Sequence, residues 1–234
     1  FDFFIPECSD GMLRNAALAA VAALLAGARE ADIRAAAARW RPSPGRGEIL
    51  LRGGRLFYVD CYNANPDSML DAARAFDRRT TTPTATATTG IGENKNATAN
   101  EPPEGAGRGN ADINEPPASV GRGNADANEP PGSTGRVFVL GGMNELGPDS
   151  ILWHERVGRA LPLRRGDRLF LFGGDSPAIG AGAVAAGFPE TAVRRTSDIA
   201  ELREWLAATT GAVFLKASRT HALERALPPA DRAK

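Results

Sequence analysis

The sequence predicts an α/β fold: a doubly wound, mostly parallel sheet with a β-hairpin at its front edge. Three observations lead to this prediction. Between residues 136 and 226, short apolar runs typical of buried strands alternate with segments of helical pattern. Strands that alternate with helices form parallel sheets covered on both faces, with right-handed crossovers. Further upstream, Gly53-Gly54 separates two strand-like runs, which is typical of a hairpin.

The first elements follow from caps and breakers. A helix is predicted over "SDGMLRNAALAAVAALLAGA", with Ser9 or Asp10 as N-cap and Gly27 near its end. A second helix is predicted over "EADIRAAAARW", and "RPSPGRG" then breaks it. The hairpin strands come from "EILLRGGRLFYVDC". The next helix is predicted from Pro66 to about Arg78, with the proline in its first turn.

The second half of the chain supplies the rest of the sheet. Strands are predicted over "RVFVLGG", "DRLFLFGG", "TAVRRT" and "GAVFLKAS". The helices between and after them are "SILWHERVGRAL", "SPAIGAGAVAAG", "SDIAELREWLAATT" and a short one over "THALERAL". We therefore expect residues 47–234 to form one doubly wound domain and residues 1–46 to be the helical tail of a preceding domain.

Residues 80–135 are unlike the rest. Their large apolar residues are Ile91, Ile113 and Val120, too few to offset the entropy of ordering the segment. "NEPP" begins at Asn100, Asn114 and Asn128, a spacing of 14 residues, and the repeat carries no apolar face. We predict a disordered repeat insertion; a Pro-rich recognition tract is the alternative.

Composition excludes several classes of protein. The 28 basic and 28 acidic residues give a net charge of zero without a basic run, so no nucleic-acid partner is expected. Cys8 and Cys61 form no metal-site or disulfide spacing, which favours a reduced, cytoplasmic compartment. No apolar run reaches the roughly 18 residues of a membrane span. The start at Phe1 within an apolar run indicates part of a longer protein, expected to be a monomer.

Polar residues cluster where the predicted strands end. Residues 60–65, 141–147, 173–176 and 216–219 should converge on one rim, because ligands of open α/β sheets bind beyond the carboxyl ends of the strands. Simpler roles remain open for some of them. Asp60 could cap a helix, and the glycine pairs could merely turn the chain.

Two cationic residues are stronger candidates. Lys216 ends the apolar strand "AVFLK", where a semi-buried ammonium favours a phosphate or carboxylate partner. Arg46 lies in a rigid turn between the two proposed units, where nucleotide clefts often form, and it offers a fork of donors for phosphate.

Four motifs, in this order, resemble the Mur ligase family: "RPSPGRGE", "VDCYNANPDSM", "VFVLGGMNELGPDSILWHERVG" and "VFLKASRTHALE". The resemblance covers nearly all of the chain outside the insertion. "YNANPDSM" is its specific part, since other branches of the family carry a His-containing loop there. The resemblance implies a Rossmann-like C-terminal domain at residues 47–234, and makes residues 1–46 the tail of the family's central ATP-binding domain.

The resemblance also implies an ATP-dependent amide ligase of peptidoglycan synthesis. Such a ligase joins D-alanyl-D-alanine to UDP-N-acetylmuramoyl-tripeptide through an acyl phosphate, and uses ATP and Mg²⁺. Arg46 would lie near the phosphates, Asp60 near the ribose, and Lys216 near the reacting carboxyl group. The implied nucleotide-binding residues are Asn15, Arg46, Asp60, Tyr62, Asn63 and Asn65, and the implied substrate-binding residues are Lys216, Ser218 and Arg219.

This chain departs from the family at several positions. The family's P-loop, carbamylated lysine and magnesium-binding acids would precede residue 1, so no catalytic residue is assigned here. Gly11 stands where the family has His, Gly142 where it has an acid, and Ala217 where it has Gly. Two hypotheses therefore remain: the C-terminal portion of the ligase, inactive alone, or a non-catalytic Rossmann-like binding module derived from it.

Overall fold

The computed structural model describes residues 1–5, 9–81 and 135–231 of the 234-residue chain. Within these residues, six strands form one sheet in the spatial order β1-β2-β6-β3-β4-β5. β1 pairs antiparallel with β2, and the remaining pairings are parallel. The strands are β1 Glu48–Arg52, β2 Arg55–Asp60, β3 Val137–Gly141, β4 Arg168–Phe172, β5 Val193–Thr196 and β6 Val213–Lys216. The predicted fold class, a mostly parallel α/β sheet with a leading hairpin, is confirmed.

The helices of the described ranges agree with their predicted positions. They are α1 Asp10–Leu25, α2 Glu30–Arg39, α3 Pro66–Thr81, α4 Ser150–Ala160, α5 Ser176–Ala185 and α6 Ile199–Ala207. Ser9 is the N-cap of α1, and its side chain accepts a hydrogen bond from the backbone N–H of Met12. α3 continues three residues past its expected end at Arg78.

The chain winds in two directions, as the doubly wound class requires. β3, α4, β4, α5 and β5 follow one another toward one edge, and α6 then returns the chain to β6, beside β3. α3, α4 and α5 cover one face and α6 the other. In β6, Phe214 packs into the core beneath α3, α4 and α5, whereas Val213 and Leu215 pack into the core beneath α6. This alternation explains why an uninterrupted apolar run forms the strand.

The hairpin turn depends on its two glycines. Gly53 and Gly54 have φ angles of 55° and 71°, and they connect the paired residues Arg52 and Arg55. A two-residue turn with positive φ at both positions matches the twist of the strands it joins, and only glycine adopts that conformation without strain.

One predicted element is wrong. "THALERAL" does not form a short α-helix; it forms two 3₁₀ turns, Arg219–His221 and Leu223–Ala226. Ala222 separates them with a left-handed φ of 46°. The second turn buries Leu223 and Ala226 against the core beneath α6, so tertiary packing overrides the local helical pattern. Of the predicted insertion, residues 82–134 lie outside the described residues.

A buried ion-pair cluster joins three elements at the amino edge of the sheet. Arg136, just before β3, donates from Nη2 to Asp167 Oδ2 at 2.6 Å and from Nη1 to Asp77 Oδ1 at 2.6 Å. The side chains of Arg136 and Asp167 are 7% and 3% exposed. Arg164 also pairs with Asp77, but its side chain is 40% exposed. The cluster fixes the end of α3 beside the start of β3.

Candidate functional site

A cleft of about 710 Å³ lies at the carboxyl edge of β2 and β6, beneath α1 and α2. Its helical wall is apolar and includes Ala16 and Ala20 of α1 and Ile33 and Ala37 of α2. Polar side chains also line the cleft. The residues predicted to bind nucleotide or substrate that line it are Asn15, Arg46, Asp60, Tyr62, Asn63 and Lys216. The expected convergence of Arg46, Asp60 and Lys216 on one site is therefore present in the structure.

Lys216 and Asp60 form the charged floor of the cleft. They are direct partners in the pairing of β6 with β2. Lys216 Nζ donates to Asp60 Oδ2 at 2.7 Å and to the carbonyl oxygen of Asn63 at 2.9 Å. The Lys216 side chain is 1% exposed and that of Asp60 is 17% exposed. The carboxylate partner expected for Lys216 is thus supplied by the protein itself, and Asp60 is the more accessible member of the pair.

Arg46 and Arg219 both lie over the ring of Tyr62; Arg46 and Tyr62 line the cleft, whereas Arg219 is not among its lining residues. The Cζ atom of Arg46 lies 3.6 Å from the centroid of the Tyr62 ring, and that of Arg219 lies 5.1 Å from it. The Tyr62 N–H also donates to the carbonyl oxygen of Gly45 at 3.1 Å. Stacking uses the face of a guanidinium, so its N–H donors remain directed in the plane, where phosphate or carboxylate oxygens bind.

Two predicted site residues stabilise loops instead of lining the cleft. Asn65 Oδ1 accepts from the N–H of Ser68 at 2.8 Å, and Ser68 Oγ accepts from the N–H of Asn65 at 3.1 Å. This reciprocal pair caps α3. Ser218 is buried, and its Oγ accepts from the N–H of Asn144 at 3.0 Å, which connects the end of β6 to the loop after β3.

The cysteine beside Asp60 is not a nucleophile in this environment. Cys61 is 3% exposed and free. Burial, followed by the negative charges of Glu224 and Asp60, raises the pKa of the Cys61 thiol well above its ordinary value. The thiol therefore stays neutral and acts as a small apolar side chain.

His221 accounts for the glycine pairs at the ends of β3 and β4. A Cβ at Gly142 would lie 3.1 Å from His221 Nε2, and one at Gly174 would lie 3.2 Å from His221 Cε1. Both pairs thus leave room for the imidazole ring, a role that sequence reasoning missed. Burial and then the nearby His154 lower the pKa of His221. A neutral ring therefore occupies the space beside Gly142, where the family resemblance implies an acidic side chain.

Asp71 is the other residue that sequence reasoning missed. It lies on α3, lines the cleft and binds the first turn of α1 through both carboxylate oxygens. The one available signal was Gly11, whose missing side chain leaves space for this carboxylate.

Solved structures of ligases share this fold. No protein-family model and no curated protein matches the sequence. MurF from Acinetobacter baumannii superposes with a TM-score of 0.63 at 21% identity, over 96% of this chain and 38% of that one. MurF ligase from Thermotoga maritima in complex with ADP gives 0.59 at 19% identity, over 94% and 37%.

A second group of ligases matches as well. Folylpolyglutamate synthase from Mycobacterium tuberculosis, complexed with ADP and AMPPCP, gives a TM-score of 0.50 at 17% identity, over 98% of this chain and 43% of that one. The fold is therefore that of the portion shared by Mur ligases and folylpolyglutamate synthases. Within that class, the higher TM-scores among these structures belong to MurF. The chain spans about two fifths of the MurF length.

Proposed function

We propose that this chain is the C-terminal portion of a MurF-type ligase, which joins D-alanyl-D-alanine to UDP-N-acetylmuramoyl-tripeptide with consumption of ATP. In this proposal residues 1–46 end the central ATP-binding domain, and residues 47–234 form the C-terminal domain. The single observation that carries the proposal is the convergence of Arg46, Asp60 and Lys216 on one cleft. The fold shared with MurF supports it.

The proposed roles follow from charge and position. Arg46 binds phosphate oxygens with its in-plane donors, and Asn15 contacts the nucleotide from α1. Asp60, the accessible member of the buried ion pair, accepts hydrogen bonds from the ribose hydroxyls. Tyr62 supports the Arg46 guanidinium by stacking. Asn63 and Asn65 shape the loop between them: Asn63 through its carbonyl oxygen on Lys216, and Asn65 through the cap of α3.

The reaction would proceed in two steps. A carboxylate oxygen of the tripeptide attacks the γ-phosphorus of ATP, which forms an acyl phosphate and releases ADP. The amine nitrogen of D-alanyl-D-alanine then attacks the acyl carbon, loses a proton and expels phosphate as the amide bond forms. Fixed cationic groups stabilise the charge of the transferring phosphoryl group. We assign Lys216 and Arg219 to the side of the cleft that faces the reacting carboxyl group and the dipeptide, and Ser218 to the support of that side through its hydrogen bond with Asn144.

The described residues do not account for Mg²⁺. Within residues 1–5, 9–81 and 135–231, no group of three or more His, Cys, Asp or Glu side chains is arranged to hold a metal ion. The proposal therefore assigns no metal ligand and no metal-dependent step to this chain.

The compartment and the oligomeric state also belong to the proposal. In the described part of the chain, no helix is long and apolar enough to cross a membrane. Cys61 is free and buried, which suits the reducing cytoplasm where a UDP-linked precursor would be used. We propose that the protein acts there as a monomer.

A non-catalytic binding module is the second candidate function. Two observations favour it. Lys216 is already neutralised by Asp60 and hydrogen-bonded to Asn63. The imidazole of His221 occupies the space beside Gly142, so an acidic side chain cannot be accommodated there without displacing the ring. Such a module would bind D-alanyl-D-alanine or a protein without ATP.

Nucleotide binding is the first test. ADP is titrated into the ¹⁵N-labelled chain while amide shifts are followed by NMR. Shifts should concentrate in the cleft, and Arg46→Ala should weaken binding about tenfold, as expected for one charge-assisted hydrogen bond. Arg74→Ala, an exposed arginine on α3, is the charge-matched control. ADP shifts spread evenly over the surface, or equal in both variants, would contradict the assignment of the cleft.

Ligation is the second test. Joined to the N-terminal and central domains that MurF ligases carry, the chain should release phosphate only when ATP, the tripeptide precursor and D-alanyl-D-alanine are all present. Lack of phosphate release in the presence of all three substrates argues against a ligase. Capture of D-alanyl-D-alanine without ATP would then support the binding module.

A further inference from the structure

The first turn of α1 is held by a carboxylate from α3. The N–H groups of Asp10 and Gly11 donate to Asp71 Oδ1 and Oδ2, both at 3.0 Å. The next two N–H groups, of Met12 and Leu13, donate to the side chain and the carbonyl oxygen of Ser9. The Leu13 bond is the first i→i−4 hydrogen bond of the helix. The N–H groups of Asp10, Gly11 and Met12, which have no intrahelical partner, are therefore all bound, and the first two are bound by a side chain 61 and 60 residues away.

This contact requires a residue without a side chain at position 11. A Cβ at Gly11 would lie 2.8 Å from Asp71 Oδ2, inside van der Waals contact. A Cβ there would push the carboxylate away and lengthen its hydrogen bonds to α1. An ion pair between Asp10 and Arg78 at 3.0 Å accompanies the contact, but its side chains are 51% exposed, so it adds little. Gly11 and Asp71 thus form one matched unit.

Asp71 connects the two walls of the cleft. Gly11 and Asn15 are four residues apart on α1, hence on the same helical face, and both line the cleft. Asp71 lies on α3, which begins directly after the loop that carries Tyr62 and Asn63. A negative charge at a helix N-terminus is also favourable to the helix dipole. The carboxylate therefore fixes the distance between the α1 wall and the loop wall.

We propose that Asp71 is a positioning residue, which orients Asn15 toward the nucleotide by binding the first turn of α1. This inference rests on the proposed function, because the role of Asn15 in nucleotide binding belongs to it. Asp71 acts through the backbone of Asp10 and Gly11. Loss of the carboxylate should therefore release α1 locally and weaken ADP binding without unfolding the sheet.

The test compares Asp71→Ala, Gly11→Ala and the double variant in the 234-residue chain by NMR titration with ADP. Each single change should weaken ADP binding about fivefold or more, the usual size of a coupling between distinct groups. The double variant should be no weaker than Asp71→Ala, because the new methyl group then has no carboxylate to displace. Asp71→Asn, which keeps one acceptor oxygen, should give partial rescue. Asp67→Ala, an exposed acid in the first turn of the same helix, is the charge-matched control.

A second cycle separates positioning from a merely structural role. In an Asn15→Ala background, Asp71→Ala should cause no further loss of ADP affinity. An equal loss in both backgrounds, or a loss of urea stability alone with unchanged affinity, would overturn the proposal.

Amide exchange of Asp10 and Gly11 gives a readout that needs no nucleotide. Both amides should exchange faster in Asp71→Ala and remain protected in Asp67→Ala; unchanged exchange in Asp71→Ala would overturn the proposal. If the unmodified chain binds no ADP although these amides lose protection, the proposed function fails while the positioning of α1 by Asp71 stands.

Discussion

Removing the Asp60 carboxylate should destabilise the fold more than removing the Lys216 ammonium. Asp60→Ala leaves an ammonium that is 1% exposed with the carbonyl oxygen of Asn63 as its described partner. Removal of one member of a buried pair costs about 3–5 kcal/mol, and the remaining hydrogen bond puts the expected loss near 3 kcal/mol. Lys216→Met leaves a carboxylate that water reaches and fills the space with an apolar chain, so about 1 kcal/mol should be lost.

Urea unfolding at pH 7, followed by circular dichroism, measures these differences. The double variant should be less destabilised than the sum of the single variants by about 2 kcal/mol, because no charge is then left unpaired. Asp60→Asn separates the loss of charge from the loss of volume. An Asp60→Ala variant within about 0.5 kcal/mol of the unmodified chain, or an additive cycle, would refute the argument that Lys216 depends on Asp60. The dependence of the free energy of unfolding on urea concentration should be the same in all variants for the comparison to hold.

Three further predictions follow from the rest of the structure. Arg136→Ala should lower the free energy of unfolding by about 3 kcal/mol, because it leaves the buried carboxylate of Asp167 without its ion-pair partner. The more exposed Arg164→Ala should cost less than about 1 kcal/mol; equal losses in urea would contradict this. Burial lowers the pKa of His221, so the unfolded state binds its proton first and the free energy of unfolding should fall as pH drops below about 6.5. His221→Gln should remove that part of the pH dependence, and an unchanged profile would show that another group causes it. Replacement of residues 82–134 by a short Gly–Ser loop should change the free energy of unfolding by less than about 1 kcal/mol, since loop closure depends weakly on length; a large fall in melting temperature would show that the segment packs.

The order of strands and helices was predictable because each signal is local. Period, caps and breakers lie within a few residues of the element they define. Ser9 caps α1, and Gly53-Gly54 turns the hairpin, where the sequence alone places them. The same kind of reasoning was wrong over "THALERAL". There the burial of Leu223 beneath α6, a contact with a distant element, outweighs a helical pattern of eight residues.

The candidate site was predictable in part. Apolar residues before Lys216 indicated that its ammonium needs a partner, and the position of polar residues at strand ends indicated where the site lies. The identity of that partner was not predictable. Asp60 lies 156 residues away from Lys216 along the chain, and the two meet because β6 inserts between β2 and β3.

The sequence by itself determined the fold class, the edge of the sheet that carries the polar residues, and the need of a buried cation for a counter-charge. Only the tertiary structure decided which charges meet, that Asp71 binds the start of α1, and that His221 occupies the space above Gly142. The physical reason is the distance along the chain over which each effect acts. Backbone propensity acts over a few residues, whereas the pairing of buried charges depends on the spatial order of strands, which no local pattern records.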